Sequence, residues 1–179
     1  MKHAAFFRNL NLGRANCPTR AQFEAAFLAA GAESAQSFLV NGTMVFGAGT
    51  EARSRKVLAA ACRALQTECG LNEPAFLRRV DELAAMVAAD PFRQIDRDCV
   101  HECCVTFLHA SAIVPSQAAR ISTRGDVELI HIHPGAALSV SRLIGRSPGS
   151  PNAFLEKLLG LPATTRAWNT VVRLVEKHG

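Results

Sequence analysis

Residues 37–46 restrict the fold more than any other stretch. Ser37-Phe38-Leu39-Val40 and Thr43-Met44-Val45-Phe46 are short runs of strand-forming residues joined by Asn41-Gly42. Two residues of the Asn-Gly type between such runs predict a β-hairpin closed by a type I′ turn. Each flank then carries a helix signal and a strand signal. Thr19 opens a helix with Gln22 three positions on, the capping-box spacing. Phe23, Phe27 and Ala30 give that helix one apolar face, and Gly31 stands where a left-handed cap would end it. Thr50 caps a second, longer helix with Leu58, Ala61, Cys62, Leu65 and Cys69 on one side, and Gly70 stops it. Residues 3–9 and 75–80 read as the first and fourth strands. The order strand–helix–strand–strand–helix–strand predicts a ferredoxin-like βαββαβ half.

Asp81 is expected to cap a further helix carrying Leu83, Met86 and Val87, which Asp90-Pro91 terminates. That helix and the polar run 93–98 read as the join to a second half. Residues 100–108 are apolar on both faces, which predicts a buried central strand. Ser116 is expected to cap a short helix. A second hairpin is expected from residues 120–123 and 127–133 around Arg124-Gly125-Asp126, and one more strand from 137–144. Ser150 at N-cap and Pro151 at N1 start a helix with Phe154, Leu155, Leu158 and Leu159, stopped by Gly160. Residues 163–175 then read as a closing amphipathic helix. Thr164 or Thr165 would cap it, and Trp168, Val171, Val172 and Val175 would form its apolar stripe. The fold class expected is α+β. A ferredoxin-like subdomain with its joining helix spans 1–92, and a second α/β sandwich subdomain with C-terminal helices spans 99–179, the two making one compact unit.

With 179 residues the chain is long enough to bury a real core. Apolar residues at 49% and charged residues at 20% are ordinary for a globular protein. No apolar run approaches the ~18 residues of a membrane span, and Arg8-Asn9 interrupts the apolar start, so no signal peptide is read. Six irregularly spaced cysteines predict reduced thiols in the cytoplasm. A net charge of +5 favours phosphate-bearing partners without requiring them.

Few residues form a chemical constellation. Cys99, His101 and Cys103 would share one strand face, but three adjacent strand positions do not give the loop-borne spacing of structural zinc sites, and buried thiols are the better reading. His131 and His133 fall on the strand face of Val127 and Leu129. With His109 they would make a metal site; otherwise they are edge histidines. Cys17 precedes a proline in a loop. No nucleophile elbow, phosphate-binding glycine loop or zincin motif occurs. No catalytic residue, metal or cofactor is therefore assigned. What remains is polar residues in turns. Arg8 and Asn11 end the first strand, Asn41 lies in the hairpin, Arg146-Ser147 follows Gly145, and Arg166 lies in the expected first turn of the last helix, where backbone amides attract anions.

These residues lie in recognisable motifs: Phe7-Arg8-Asn9-Leu10-Asn11-Leu12-Gly13, Asn41-Gly42-Thr43-Met44-Val45-Phe46, Leu83-Ala84-Ala85 with Asp90-Pro91-Phe92, Gly145-Arg146-Ser147, and Thr164-Thr165-Arg166-Ala167-Trp168-Asn169-Thr170-Val171. In this order the chain resembles the bacterial family of unknown function DUF1697. The resemblance implies a cytosolic α+β protein of two ferredoxin-like halves and no established activity. Pro148 stands where the family usually places a lysine.

The expectation for function is a non-enzymatic binding module for a phosphate-bearing ligand, a nucleotide or nucleic acid. Its candidate residues are Arg8, Asn11, Gly13, Asn41, Gly42, Arg146, Ser147, Thr165, Arg166, Trp168 and Asn169. Two alternatives stand beside it. One is an enzyme for a small anionic substrate in a cleft between the halves; the other is a module that binds a protein partner or itself.

Overall fold

A computed structural model describes residues 1–179, a mixed α+β chain of antiparallel sheets. Its first elements are β1 (Lys2–Phe7), α1 (Arg20–Ala29), β2 (Ser34–Phe38), β3 (Thr43–Gly47), α2 (Glu51–Cys69), β4 (Ala75–Arg79) and α3 (Val80–Ala88). The four strands form one antiparallel sheet in the order β2-β3-β1-β4. Local chemistry sets the helix ends. Thr19 and Gln22 make the reciprocal capping box, Thr50 accepts from the Arg53 amide, and Gly70 takes the left-handed cap at φ 72°. Ala5, Phe7, Met44 and Phe46 bury one sheet face with Phe23 and Phe27 of α1 and Val57, Ala61 and Leu65 of α2. Phe23 and Phe27 pack edge-on at 5.7 Å.

The hairpin differs from the sequence expectation. Phe38 pairs with Thr43, so the loop has four residues, 39–42, with positive φ at Leu39 (59°) and Gly42 (67°). A type I′ turn would need Asn41 at positive φ as well. The wider loop has a tertiary cause. The Val40 carbonyl accepts from the Leu12 amide and the Gly42 carbonyl from the Phe7 amide, each at 2.8 Å. A Cβ on Gly42 would lie 2.6 Å from that of Leu10. At α3 the helix begins at Val80, and Asp81 sits in its first turn, accepting from the Glu82 amide.

The later elements are a 3₁₀ turn at Arg97–Cys99, β5 (Glu102–Leu108), β6 (Val127–His133), β7 (Ala136–Ser141), β8 (Leu143–Ile144), β9 (Ser147–Pro148), α4 (Pro151–Leu159), β10 (Ala163–Ala167) and α5 (Trp168–His178). The second sheet is antiparallel in the order β10-β5-β7-β6, and β5 lies inside it with residues 103–108 buried. Ser150 and Pro151 start α4 as expected. Leu155 of α4 covers Leu108, Leu129, Ala137 and Ala163. Ser116 caps no helix and lies in a turn. Residues 120–123 give a single bridge, Ile121 to Glu128, in place of a full hairpin arm. Residues 137–144 split at Arg142 into β7 and β8. The β8–β9 hairpin turns on Gly145-Arg146, with φ 63° at Gly145 as a type II′ turn requires.

Two larger corrections follow from pairing. In β6 the register passes from Leu129 opposite Ser139 to His131 opposite Leu138, so Ile130 is an extra residue, a β-bulge. Val127, Leu129 and Ile132 therefore share the α4-covered face, whereas His131 and His133 lie on the other. They do not continue the face of Val127 and Leu129. In the closing stretch, residues 163–167 are a strand. Thr164 pairs with Phe107, Thr165 with Thr106 and Arg166 with Val105. Neither threonine caps a helix. Their β-branched side chains suit the strand, and the Thr165 and Thr106 hydroxyls meet at 2.8 Å. The helix starts at Trp168 and buries Trp168, Val171, Leu174 and His178, with Val172 and Val175 half-buried.

The chain divides into two compact units, Met1–Ala84 with Leu174–Gly179, and Ala85–Arg173. These bounds fall inside α3 and α5, whereas the sequence expectation divided the chain into 1–92 and 99–179. No helix is long and apolar enough to cross a membrane.

Candidate anion-binding cavity

The second unit contains a cavity of about 230 Å³. Its walls come from three places: Arg97 in the 3₁₀ turn, residues 100–103 leading into β5, and residues 167–169, where β10 passes into α5. The antiparallel pairing of Ala167 with Cys104 brings the start of α5 beside the start of β5. Asp96 accepts from the Asp98 amide and so fixes the turn that carries Arg97.

Arg97 is held by uncharged groups. Its guanidinium donates to the Cys103 sulfur at 2.9 Å and lies 5.9 Å from the Phe92 ring centroid. Phe92 in turn packs edge-on against Trp168 at 5.2 Å. Also lining the cavity, Ala167 precedes the first helical residue of α5 and has no side-chain oxygen to cap it. The first-turn amides of a helix lack intrahelical partners and attract negative charge. Asn169 stands exposed in that turn, and His101 and Glu102 stand exposed where the chain enters β5. Burial pushes the Cys103 thiol up, partly countered by Arg97. Burial takes Cys104 higher, to about 12, keeping it a thiol. The cavity lining thus brings together one guanidinium, one helix start and the Glu102 carboxylate.

A family model described as a protein of unknown function (DUF1697) matches residues 1–136. The chain belongs to the DUF1697 family. The matched region covers Met1–Ala84 of the first unit and the second unit as far as the start of β7, so the Gly145-Arg146-Ser147 motif and the closing Thr164–Val171 motif of this DUF1697 chain lie beyond it. No curated protein matches the chain. Among solved structures it is similar to the conserved bacterial protein SP0830 from Streptococcus pneumoniae, with 14% identity and a TM-score of 0.66 over 98% of this chain and 97% of that one. At that identity the likeness is one of fold.

The site residues read from the sequence fall into separate groups. In the first unit of the DUF1697 chain, Arg8, Asn11, Gly13, Asn41 and Gly42 gather at one end of the sheet. The two loops are stitched by the Phe7 and Leu12 amides described above. Arg8 is paired with Glu73 at 2.9 Å, and Asn9 donates to the same carboxylate at 3.1 Å. Gly13, at φ 80°, donates its amide to the Pro18 carbonyl, and Thr43 donates to Asn41 Oδ1 at 2.9 Å. In the second unit, Arg146 and Ser147 are exposed on the β8–β9 hairpin. Thr165 bridges Thr106 and Asn152. Arg166 is 7% exposed and donates to the Thr164 hydroxyl at 2.8 Å and the Thr165 carbonyl at 2.9 Å. Burial brings its guanidinium down to about 10, so it stays charged at neutral pH. Trp168 and Asn169 reach the cavity; Thr165, Arg166, Arg146 and Ser147 do not line it. Cys17 packs against the first apolar core, and Cys99 lies in the 3₁₀ turn rather than on a strand with Cys103.

Sequence reasoning missed Arg97, His101 and Glu102 as cavity residues. The sequence placed Arg97 in a polar connecting run. Its position 72 residues before Asn169 carries no local signal, because only the β5–β10 pairing joins them.

Proposed function

We propose that the chain is a non-enzymatic binding module for a small anion bearing phosphate or carboxylate, held between Arg97 and the start of α5. The observation that carries this reading is the cavity itself, whose lining combines a guanidinium without a carboxylate partner and a helix start preceded by Ala167, which has no capping oxygen. Its size narrows the ligand class. Drug-sized ligands take pockets of roughly 300–1,000 Å³, so a 230 Å³ cavity suits a phosphate or small organic acid and only the phosphate end of a nucleotide. The distribution of charge argues in the same direction, because Arg8, Arg53, Arg55, Arg79, Arg124 and Arg142 are each matched by a carboxylate. Carboxylate pairing of these six guanidiniums weakens the case for a nucleic-acid face.

The test is a titration with inorganic phosphate at low and high salt, read through the fluorescence of Trp168, the only tryptophan. Binding that weakens with salt and is lost in Arg97→Ala supports the reading. Absence of binding at low salt, or binding that Arg97→Ala leaves intact, overturns it.

A second reading, protein binding or self-association, is favoured by Leu143 (51% exposed) and Ile144 (47% exposed) beside Arg146. A concentration-dependent mass in solution that Ile144→Glu abolishes would support it. The strand order β2-β3-β1-β4 with two intervening helices supports reading the first unit as ferredoxin-like. Six free thiols favour a reducing, cytoplasmic setting.

A further inference from the structure

We infer that His131 and His133 form a two-ligand site for a divalent transition-metal ion of the copper, nickel or zinc class. The inference rests on the bulge at Ile130 and is independent of the cavity. Without that extra residue both imidazoles would continue the face of Val127 and Leu129 and point into the apolar layer under Leu155. With it, the half-buried Ile132 takes the core-facing place and both histidines stand exposed on one face of the edge strand. Bulges occur where a strand must re-aim a side chain.

The ring geometry fits a shared ion. The two centroids are 6.1 Å apart and the planes are tilted by 35°. Two bonds of about 2.0–2.1 Å to one ion hold imidazole centroids within roughly 6.5 Å of each other, so side-chain rotation alone closes the site. Glu128 is the next residue on that face, but it is paired with Arg142 at 2.7 Å. His109 is held by the Ser111 hydroxyl at 2.7 Å and does not enter. The site therefore supplies two imidazoles, with water completing the shell. Imidazole pairs suit copper, nickel and zinc over magnesium or calcium.

The test is calorimetric titration of the full, tag-free chain with Ni²⁺ at pH 7.5, in a Cys99→Ser background that removes the exposed thiol. The expected result is one Ni²⁺ per chain. Either His131→Ala or His133→Ala should weaken it by at least about tenfold, and the double variant should abolish it. Imidazole NMR signals of the same two residues should be the ones perturbed. Because both side chains are exposed, the variants keep the fold, which circular dichroism checks. No heat up to millimolar Ni²⁺, or binding unchanged in the double variant, overturns the proposal.

Discussion

The Arg97 guanidinium donates to the Cys103 sulfur at 2.9 Å, and that thiol is a neutral acceptor. The contrast with Arg142, paired with Glu128 at 2.7 Å, matters for the cavity. A carboxylate partner cancels a guanidinium's charge, whereas a thiol positions it and leaves the charge available. Arg97 also retains donors beyond the one it gives to sulfur, since a guanidinium carries five.

Glu102 is the opposing charge in the cavity wall. Glu102→Gln removes a repulsion against a bound anion and should tighten phosphate binding, by up to about fivefold for a solvent-exposed charge. The direction is the decisive part. The Trp168 fluorescence titration reads it, and a weaker affinity would mean that Glu102 helps to hold the ligand.

Trp168 is 5% exposed and stacks edge-on with Phe92. Truncation to alanine should destabilise the fold by about 3–5 kcal/mol, the range for large aromatic cores. Trp168→Phe, which keeps most of the ring, should lose much less. Urea denaturation followed by circular dichroism separates the two.

Thiol reactivity should follow burial. Cys62 is pushed up to about 11 and Cys104 to about 12, both chiefly by burial, so few thiolates exist at pH 8. Cys99 is exposed, although the Asp96 carboxylate also raises it. Alkylation of the native protein followed by mass spectrometry should label Cys99 well before Cys62 and Cys104.

His3 makes stability depend on pH. Ser54 Oγ donates to the Thr50 carbonyl at 2.9 Å, so His3 Nδ1, 3.0 Å away, is the donor to Ser54. Nε2 then bears no hydrogen and is buried without a partner. Burial above all, with Arg79 and the N-terminus adding to it and Glu51 and Asp81 opposing, holds the imidazole below its usual 6.5. His178 is lowered too, by burial with Lys177 and Lys2. Between the folded value and 6.5 the unfolded chain binds a proton that the folded chain excludes, so stability rises with pH there. The contribution is complete above 6.5 and is lost as pH falls through the folded value. Thermal melts at pH 7.5 and pH 5 should show the loss. His3→Asn, which keeps a donor for Ser54 and cannot titrate, should reduce it.

Gly149 is fixed by space. A Cβ there would lie 2.1 Å from the Asp126 carbonyl oxygen, while its own amide donates to Arg142 and its carbonyl accepts from Ser141. Gly149→Ala should cost about 1–3 kcal/mol or more, as overpacking does. Gly145→Ala has open space around it and faces only its positive φ. Comparing the two variants by thermal melting tests the assignment.

Signals that act within a few residues were legible in the sequence. The capping box at Thr19, the cap at Thr50, the Ser150-Pro151 start and the glycine stops at Gly70 and Gly160 all stand as read. The misreadings arose where distant partners decide. The Thr164-Thr165-Arg166 run has the chemistry of a helix cap, yet an unpaired edge of β5 draws it into a strand. Asn41-Gly42 has the chemistry of a two-residue turn, yet hydrogen bonds to Phe7 and Leu12 widen the loop. The candidate cavity was half visible. Trp168 and Asn169 stood out as a motif, and Arg97 did not, because nothing near it in the sequence marks a partner 72 residues away.

The bulge at Ile130 also acts as a change of phase. Upstream of it odd-numbered residues of β6 are buried; downstream, even-numbered Ile132 turns to the core. A strand written in two phases has an outer face that depends on one residue of length rather than on composition. Deleting Ile130 would keep every neighbouring side chain yet turn two imidazoles inward and Ile132 outward. A length change there should therefore damage the sheet more than most single substitutions along β6.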